Sequence, residues 1–230
     1  AWWIFQDNIP LFWYGIKITL LLAVCGTLIG LLIGLLLGGI RAVRIEERDA
    51  PVSRIIKKIL HGFVGLYVWI FRGTPMMVQA LIIYHGLRPV LNWSPVTAGI
   101  TIISINTGAY MAEIIRAGIQ SIDKGQNEAA RSLGMTSTQT MMSIILPQAI
   151  RNSFPSIGNE FIVNIKDSSM LNVIGVIELY FQSSSVAGSL MLYVPTFIVA
   201  AILYLLLTTL ATQLLSFVEG RMNIPRSSGP

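Results

Sequence analysis

Long uncharged stretches constrain this chain more than any other feature of its sequence. Between Lys17 and Arg41 there are 23 uncharged residues, enough for a helix across about 30 Å of hydrocarbon at about 1.5 Å per residue. Three more such stretches follow, with only Arg72 inside them: Lys58 to Arg88, Arg88 to Glu113, and Leu190 to Val218. Charged residues make up 12% of the chain, well below the usual share in a soluble domain. This composition excludes a disordered tail, a disulfide scaffold and a nucleic-acid-binding module.

A fifth hydrophobic stretch, Ala149 to Phe181, differs from the others because charges lie inside it. It holds Glu160, Lys166, Asp167 and Glu178, and we interpret it as an interrupted span. The sequence therefore predicts an all-α membrane protein with about five transmembrane helices in one domain, residues 1–223. Residues 224–230 are expected to be a tail outside the fold, typical of an expression remnant. Because no Met begins the chain, we also expect residues upstream to be missing.

The basic residues predict which way the chain crosses the membrane. They concentrate in the link after the first stretch, in the link after the third stretch and in the C-terminal tail: Arg41, Arg44, Arg48, Arg54, Lys57, Lys58, Lys124, Arg131, Arg151, Arg221 and Arg226. Since cytoplasmic loops carry an excess of Lys and Arg, both links and the C-terminus are expected in the cytoplasm. The N-terminus is then outside the cell membrane, which agrees with an odd number of spans.

Glycine recurs at every fourth position of the first stretch, at Gly26, Gly30, Gly34 and Gly38. Four residues turn a helix by about 400°, so these glycines form one slowly drifting stripe where another backbone can approach closely. Two interpretations are open: a seam between two subunits, or ordinary packing inside one subunit.

The segment from Gly125 to Pro147 does not have the pattern of a membrane helix. Glu128 to Leu133 favours a short helix, and Gly134 suits the position just past a helix end. Thr136 to Thr138 are candidate caps for a second helix, which is expected to end before Pro147. Two short helices around a glycine elbow, with small apolar residues and few charges, indicate a contact surface for a soluble partner. The alternative is a plain surface loop.

The same segment resembles the EAA loop of ABC importer permeases. The matching pattern is Glu128-Ala129-Ala130, three residues, Gly134, nine residues, and then Ile144, Leu146 and Pro147. Other segments are similar to the polar amino acid branch of that family (histidine, glutamine and arginine types): Phe71 to Pro75 with Gln79, Gly108 to Glu113 with Arg116 and Gly118, and Asn159 to Ser169 with Gly175, Glu178 and Leu179. The similarity covers about Ile9 to Asn223, and Ser168 and Met170 stand where Thr and Leu are usual.

The resemblance implies a type I ABC importer permease fold and a transmembrane subunit of an ATP-driven importer for polar amino acids. Its expected partners are an ABC ATPase dimer, a second permease (a copy or a paralogue), and an extracytoplasmic amino-acid-binding protein or a binding domain fused upstream. No cofactor is expected in this chain. It lacks a GxxxxGK[ST] phosphate loop, so ATP and Mg²⁺ are assigned to the ATPase partner and the chain is not expected to be an enzyme.

The resemblance also implies roles for the EAA loop, whose first helix would dock in a groove of the ATPase. Closure of the ATPase dimer would then move the membrane spans. In that role Glu128 and Arg131 are polar anchors, Ala129 and Ala130 allow close approach, Leu133 is an apolar contact and Gly134 provides the bend.

Ionisable side chains at membrane depth are costly, so each is a candidate for a substrate site. Arg72 lies beside Gly73 and Pro75, where freed backbone groups are tolerated only within protein or next to a water-filled cavity, and it is a candidate for binding a substrate carboxylate. The alternative for Arg72 is an ion pair with Glu160 or Asp167, which are themselves candidates for binding an α-amino group. The neutral candidates for hydrogen bonding are Thr74, Gln79, Asn159, Asn164, Ser168 and Ser169.

Two further charged residues, Glu113 and Arg116, are three positions apart on one helix face, and we interpret them as a structural pair. The sequence contains no Ser-His-Asp set and no metal-binding cluster, so we assign no catalytic or metal residue. An ion-coupled secondary amino acid transporter remains an alternative, because such carriers also bind substrate at discontinuous helices. Against it, the sequence shows no matching pair of interrupted segments, and five spans are few for such a carrier.

Overall fold

The computed structural model describes residues 2–43, 45 and 50–221, and the regular structure in this part of the chain is helical throughout. The α-helices in chain order are α1 (Trp2–Asp7), α2 (Ile9–Ala42), α3 (Pro51–Gly73), α4 (Met76–Leu91), α5 (Pro95–Gln120), α6 (Lys124–Ser132), α7 (Ser137–Thr140), α8 (Leu146–Asp167), α9 (Leu179–Leu190) and α10 (Tyr193–Arg221). A π-helical turn, Met141–Ile145, joins α7 to α8, and a 3₁₀ segment, Ser168–Ile174, follows α8. The predicted all-α class is confirmed. The predicted tail, residues 224–230, lies outside the described residues.

Three of the described helices, α2, α5 and α10, are each long and apolar enough to cross a membrane. The helices α3 and α4 meet that criterion only as a pair, and they are bent by 111° at the break between them. By length and composition the described chain therefore has three spans, or four if the bent pair counts as one. The stretch interpreted as an interrupted span is indeed broken, because α8 ends at Asp167 and Gly175 adopts a left-handed conformation at φ +83°.

The glycine stripe of α2 packs against α5 at the centre of the fold. A Cβ atom added at Gly34 would lie 2.3 Å from the Cβ atom of Met111, and real Cβ atoms do not approach that closely. The other stripe glycines make similar contacts, with Ile103 opposite Gly26, Thr107 opposite Gly30, and Ala112 with Ile115 opposite Gly38. Of the two interpretations of the stripe, the structure shows packing inside one subunit.

A buried amide on α8 connects that helix to both members of the central pair. The Asn164 Nδ2 atom donates to Thr27 Oγ1 on α2, and Thr107 Oγ1 on α5 donates to Asn164 Oδ1, both at 2.9 Å. All three side chains are buried. Hydrogen bonds of this kind hold helices together in a membrane, where apolar burial gives little drive for helix association.

Glu178 has a structural role that the sequence analysis did not assign. Its buried carboxylate caps α9 by accepting hydrogen bonds from the backbone N–H groups of Tyr180 and Phe181, each at 2.8 Å. It also accepts a hydrogen bond from the Tyr204 hydroxyl on α10 at 2.9 Å. One carboxylate therefore both starts α9 and joins it to α10.

The prediction that a helix ends before Pro147 is wrong. The chain continues from α7 through the π-helical turn into α8, and Pro147 lies in the first turn of α8. Hydrogen bonds in a π-helix span five residues instead of four, as in the bond from Leu146 N to Met141 O. Because proline is tolerated in the first turn of a helix, where its missing N–H is not needed, the widened turn lets the helix pass through this position.

Candidate functional site

The bend between α3 and α4 is built around two buried amide side chains. The helix α3 ends at Gly73, and Pro75, which has no N–H group, precedes α4. The carbonyl groups freed at this break are those of Phe71 and Thr74, and they accept hydrogen bonds from Gln79 Nε2 at 3.0 and 2.9 Å. The Asn106 Nδ2 atom of α5 donates to Gln79 Oε1 at 2.9 Å and to the Phe71 carbonyl at 3.2 Å. The broken helix end is thus satisfied by protein, as membrane depth requires.

Arg72 projects from the bend into a cavity of about 490 Å³. The cavity is lined by Arg41, Gly65, Val68, Trp69, Arg72, Gly73, Tyr110 and Glu113. The Arg72 guanidinium carbon lies 5.2 Å from the centre of the Tyr110 ring, within the range of a cation–π contact. Its Nη1 atom is 4.0 Å from the Glu113 carboxylate, at the outer limit of an ion pair. The cavity therefore has both charge signs and an aromatic wall.

Glu113 is the centre of a cluster that also contains three arginines. Arg116 contacts its carboxylate through Nη2 at 2.8 Å and Nε at 3.1 Å, and Arg41 forms a second ion pair with it. The predicted pairing of Glu113 with Arg116 is present in the structure. Of the two alternatives for Arg72, an ion pair with Glu160 or Asp167 is absent from the described residues, where Arg72 instead approaches Glu113 of α5.

Two carboxylates of α8 lie outside the set of residues that line the cavity. Glu160 and Asp167 are both half-buried and seven residues apart, which places them on one helix face about 10.5 Å apart along the axis. Within the described part of the chain, neither carboxylate has a hydrogen-bond or ion-pair partner.

The neutral candidates divide into two groups. Thr74 donates to the Ile70 carbonyl, Ser168 donates to the Ile165 carbonyl, and Gln79 and Asn164 have the partners given above. These four side chains are used within the protein. Asn159 is exposed and Ser169 half-buried, and the structure records no side-chain hydrogen bond for either within the described residues. Of the predicted substrate residues only Arg72 lines the cavity, and most neutral candidates have a structural role.

Three residues around the bend were missed by the sequence analysis as parts of a site. Asn106 had a signal, because it is a buried amide side chain in the middle of the third uncharged stretch. Arg41 was counted only toward the orientation of the chain. Tyr110 had no signal of its own, since an aromatic residue within an apolar stretch is ordinary.

The short helix α6 begins at Lys124, four residues before the predicted start at Glu128, and ends at Ser132, close to the predicted end before Gly134. Asp123 caps its start by accepting a hydrogen bond from Gly125 N at 2.7 Å. At its end, Met135 N donates to the Ala130 carbonyl at 3.1 Å and Gly134 N to the Arg131 carbonyl at 3.0 Å. These two bonds form a Schellman motif, and Gly134 has the positive φ of +82° that this motif needs. Next, Thr136 caps α7 in a capping box with Gln139, which confirms Thr136 as a cap.

Most of the candidate coupling residues are on the outer surface of this arm. Leu133 is 85% exposed at the elbow, and Glu128 and Ala129 are exposed on α6. Ala130 is buried, and Arg131 donates to Ser137 Oγ at 2.7 Å across the elbow. Leu133 is the most exposed large apolar side chain in the described part of the chain.

Comparison with known proteins gives concordant results. Residues 30–224 match the family described as binding-protein-dependent transport system inner membrane component. The chain is 36% identical over 227 residues to the glutamine transport system permease protein GlnP of Escherichia coli strain K12, covering 97% of this chain and 98% of that protein. It is 35% identical over 228 residues to the probable amino-acid permease protein YxeN of Bacillus subtilis strain 168, covering 97% and 96%.

Solved structures extend this similarity to the fold. The crystal structure of an amino acid ABC transporter with histidines has a TM-score of 0.82 and 40% identity, covering 94% of this chain and 96% of that one. An inward-facing MetNI methionine ABC transporter has a TM-score of 0.80 at 19% identity, which shows the fold alone. These matches favour the importer over the secondary transporter and confirm the type I permease fold. The chain belongs to the family of binding-protein-dependent transport system inner membrane components, as the membrane-embedded permease subunit of an amino acid ABC transporter.

Proposed function

We propose that this subunit carries polar amino acids inward across the cytoplasmic membrane through the cavity at the α3–α4 bend. The cavity supports this proposal, because Arg72 and the Tyr110 ring line it beside helices that are long enough to span the membrane. Charged groups at that depth are costly unless they serve a pathway or a site.

Arg72 is suited to bind the substrate carboxylate. Its planar guanidinium can donate two parallel hydrogen bonds to a carboxylate. Glu113 does not depend on Arg72 for its charge balance, since Arg41 and Arg116 both pair with it. Arg72, at 4.0 Å from Glu113, can therefore exchange that contact for a substrate carboxylate without leaving Glu113 uncompensated.

The α-amino group of the substrate is assigned to Glu160, with Asp167, Asn159 and Ser169 further along the pathway. Glu160 and Asp167 accept hydrogen bonds and carry the charge opposite to that of an ammonium group. Thr74, Gln79, Asn164 and Ser168 belong to the site as positioning residues, since their hydrogen bonds hold the helix breaks on either side of it.

The proposed arrangement in the membrane has about five spans, with α3 and α8 added to the three long apolar helices. The N-terminus is outside, and the α6 arm and the end of α10 are cytoplasmic. The basic residues support this orientation, because the link before α3, the α6 arm and the end of α10 all carry Lys or Arg.

The α6 arm is proposed to dock on an ATPase subunit that binds ATP and Mg²⁺. Its exposed surface, Glu128, Ala129 and Leu133, supplies the contact, while Ala130 and Arg131 hold the elbow together. The importer further contains a second permease, a copy or a paralogue, and an extracytoplasmic amino-acid-binding protein or fused binding domain. Hydrolysis of ATP takes place in the ATPase partner, and this chain has no catalytic role.

Replacing Arg72 with lysine tests the pocket. Arg72→Lys keeps the charge but loses the planar fork, which costs roughly 1.5–3 kcal/mol, or about ten- to a hundredfold in substrate affinity. The measurement is binding and uptake of radiolabelled amino acids by the reconstituted importer. Arg88→Lys is the matched control, because Arg88 also stacks on a tyrosine, 5.4 Å from the Tyr84 ring centre, but lies outside the cavity.

An unchanged affinity in Arg72→Lys would contradict the role of Arg72 in binding. The variant Arg72→Gln leaves the pairs of Glu113 with Arg41 and Arg116 in place. If Arg72 only adds to the charge balance of Glu113, this variant should transport at close to the wild-type rate; if Arg72 binds substrate, transport should be low.

Replacing Gly134 with valine tests the coupling arm. A β-branched residue at φ +82° is strongly disfavoured and costs roughly 1–3 kcal/mol. We expect Gly134→Val to insert normally but to lose most of the ATP hydrolysis that substrate stimulates. Gly188→Val is the matched control, because Gly188 lies inside a helix with nothing within 4 Å of an added Cβ atom.

Full stimulated hydrolysis in Gly134→Val would refute the docking role of the elbow. The same arm must also face the cytoplasm. A cysteine introduced at Gln139, in a Cys25→Ala background, should react with a membrane-impermeant thiol reagent only after the cells are permeabilised. Labelling in intact cells would overturn the proposed orientation.

A further inference from the structure

The two oxygen atoms of the Glu113 carboxylate have different partners. Arg41 Nη1 donates to Oε1, whereas Arg116 donates to Oε2 through Nη2 at 2.8 Å and through Nε at 3.1 Å. The third nitrogen of Arg116, Nη1, donates to Gln120 Oε1 at 2.8 Å. Arg72 Nη1 lies 4.0 Å from Oε2, which is too far for a hydrogen bond. Arg41 is therefore the donor that occupies Oε1, and all three nitrogen atoms of Arg116 are already engaged.

Arg41 and Glu113 belong to two helices that are in close backbone contact. Arg41 lies three residues after Gly38 of α2, and an added Cβ atom at Gly38 would lie 2.8 Å from the carbonyl oxygen of Ala112, the neighbour of Glu113 in α5. Backbone positions this close have little room to change, so they keep the Arg41 side chain within reach of Oε1. Arg72 belongs to α3 instead, and its side chain is 44% exposed, against 28% for that of Arg41. Of these two arginines, Arg72 is the one that can reorient.

Glu113 and a substrate carboxylate are competitors for the Arg72 guanidinium. Within the described residues the Arg72 side chain makes no hydrogen bond, and its contacts are Glu113 at 4.0 Å and the Tyr110 ring centre at 5.2 Å. Charge-assisted hydrogen bonds form at about 2.7–2.9 Å, so a shift of roughly 1 Å would pair Arg72 with Glu113. If Arg41 were absent, Oε1 would lack a donor, and the carboxylate, which is only 18% exposed, would attract Arg72 to replace it.

We infer that Arg41 is a positioning residue for the substrate site. It occupies Oε1 of Glu113, and so it prevents Glu113 from capturing Arg72 and keeps Arg72 available to a substrate carboxylate. In this role Arg41 acts through Glu113 and does not itself bind the substrate, although it lines the same cavity. The inference rests on the function proposed above, in which Arg72 binds the carboxylate. The state of Arg72 is therefore measured separately from substrate binding.

The first measurement is equilibrium binding to the purified permease–ATPase complex of radiolabelled glutamine, glutamate, histidine or arginine, whichever binds most tightly. Arg41→Gln is expected to bind it roughly tenfold more weakly, because a charge-assisted hydrogen bond between Arg72 and Glu113 must first be broken. Arg41→Gln with Glu113→Gln is expected to bind with close to wild-type affinity, because the competing charge is gone. The matched control is Arg221→Gln: Arg221, like Arg41, lies in the last turn of a long apolar helix, but it does not line the cavity.

The second measurement follows Arg72 directly and needs no substrate. Phenylglyoxal modifies accessible guanidinium groups, and mass spectrometry of the digested complex gives the rate of modification at Arg72. We expect Arg72 to react in the wild type, to react several-fold more slowly in Arg41→Gln, and to recover the wild-type rate when Glu113→Gln is added. Equal rates in the wild type and in Arg41→Gln would overturn the inference, because Arg116 would then be the residue that fills Oε1.

Rescue by Glu113→Gln separates positioning from direct binding. If Arg41→Gln lowers the affinity and the added Glu113→Gln does not restore it, Arg41 binds the substrate itself and the inference is overturned. If Arg41→Gln does not assemble, Glu113→Gln alone continues the test, because it removes the competitor for Arg72. That variant should bind substrate at least as tightly as the wild type, and its Arg72 should react at least as fast; a weaker affinity or a slower reaction would overturn the inference.

Failure of the proposed function gives a different pattern. In that case Arg72→Lys binds every amino acid tested with wild-type affinity, while the phenylglyoxal rates at Arg72 still change as expected. This result would show that Arg41 keeps Arg72 and Glu113 apart, and it would overturn the substrate role of both arginines.

Discussion

The stripe glycines of α2 and the glycines of α3 have opposite surroundings, although both helices pack on α5. On α2, Gly34 leaves no room for even one more carbon atom, because an added Cβ would lie 2.3 Å from Met111. On α3, an added Cβ at Gly62, Gly65 or Gly73 meets nothing within 4 Å. The first helix is locked to α5 by close backbone contact. The second contacts α5 through side chains such as Val64, Val68 and Tyr67, and the cavity lies beside Gly65 and Gly73.

This difference separates a closely packed frame, formed by α2 and α5, from the candidate site at the α3–α4 bend. The pair α2–α5 is in close backbone contact at the glycine stripe, and Asn164 joins it to α8. At the α3–α4 bend, contacts run mainly through long side chains such as Arg72 and Gln79, which can change partners without moving a helix axis. We propose that substrate is held and released in this charged cavity while the α2–α5 frame transmits the movement of the arm.

The largest effect is expected from filling the tightest contact. Gly34→Ala adds a Cβ atom where it would overlap Met111, and overpacking of this severity costs about 3 kcal/mol. We expect the variant subunit to assemble poorly and the purified complex to lose thermal stability. Unfolding of the complex in detergent measures this. A stability within about 0.5 kcal/mol of the wild type, a typical surface-substitution effect, would show that α2 and α5 are not locked at this point.

A smaller effect is expected from the amides that satisfy the bend. Gln79→Ala leaves the Phe71 and Thr74 carbonyls with one donor fewer, which costs about 1–2 kcal/mol for hydrogen bonds in a membrane protein. Asn106→Ala should be non-additive with it, because the two side chains bond to each other. Thermal unfolding of both single variants and the double variant gives the coupling energy. Strict additivity would mean that the two amides act independently.

The smallest effect is expected at a glycine of α3, where an added Cβ atom meets nothing within 4 Å. Gly65→Ala adds a methyl group next to the cavity and removes the entropic penalty of glycine in a helix, so stability should rise by about 0.5–1 kcal/mol. The same unfolding assay detects this. A loss as large as that of Gly34→Ala would remove the distinction between the two sets of glycines.

The sequence analysis succeeded where one residue type has one physical reason for its position. The four-residue spacing of glycine on α2, the Gly73–Pro75 break and the positive-φ position of Gly134 all follow from local backbone geometry. The partner of Arg72 did not follow, since it depends on a bend of 111° that no spacing encodes. The helix end predicted before Pro147 failed for a related reason. Proline usually ends an α-helix, but here it follows a π-helical turn and lies in the first turn of α8, where it is tolerated.

That widened turn, Met141–Ile145, sets the angle at which the α6 arm is presented. One residue more or fewer in a helix rotates everything on one side of it by about 100° relative to the other side. The π-helical turn stands between α8, which runs through the core, and the elbow that carries Leu133. The number of residues in this one turn therefore fixes the direction of the exposed Leu133 side chain relative to α8. Under the proposed docking, a rotation of the arm would reach α8 in one defined direction.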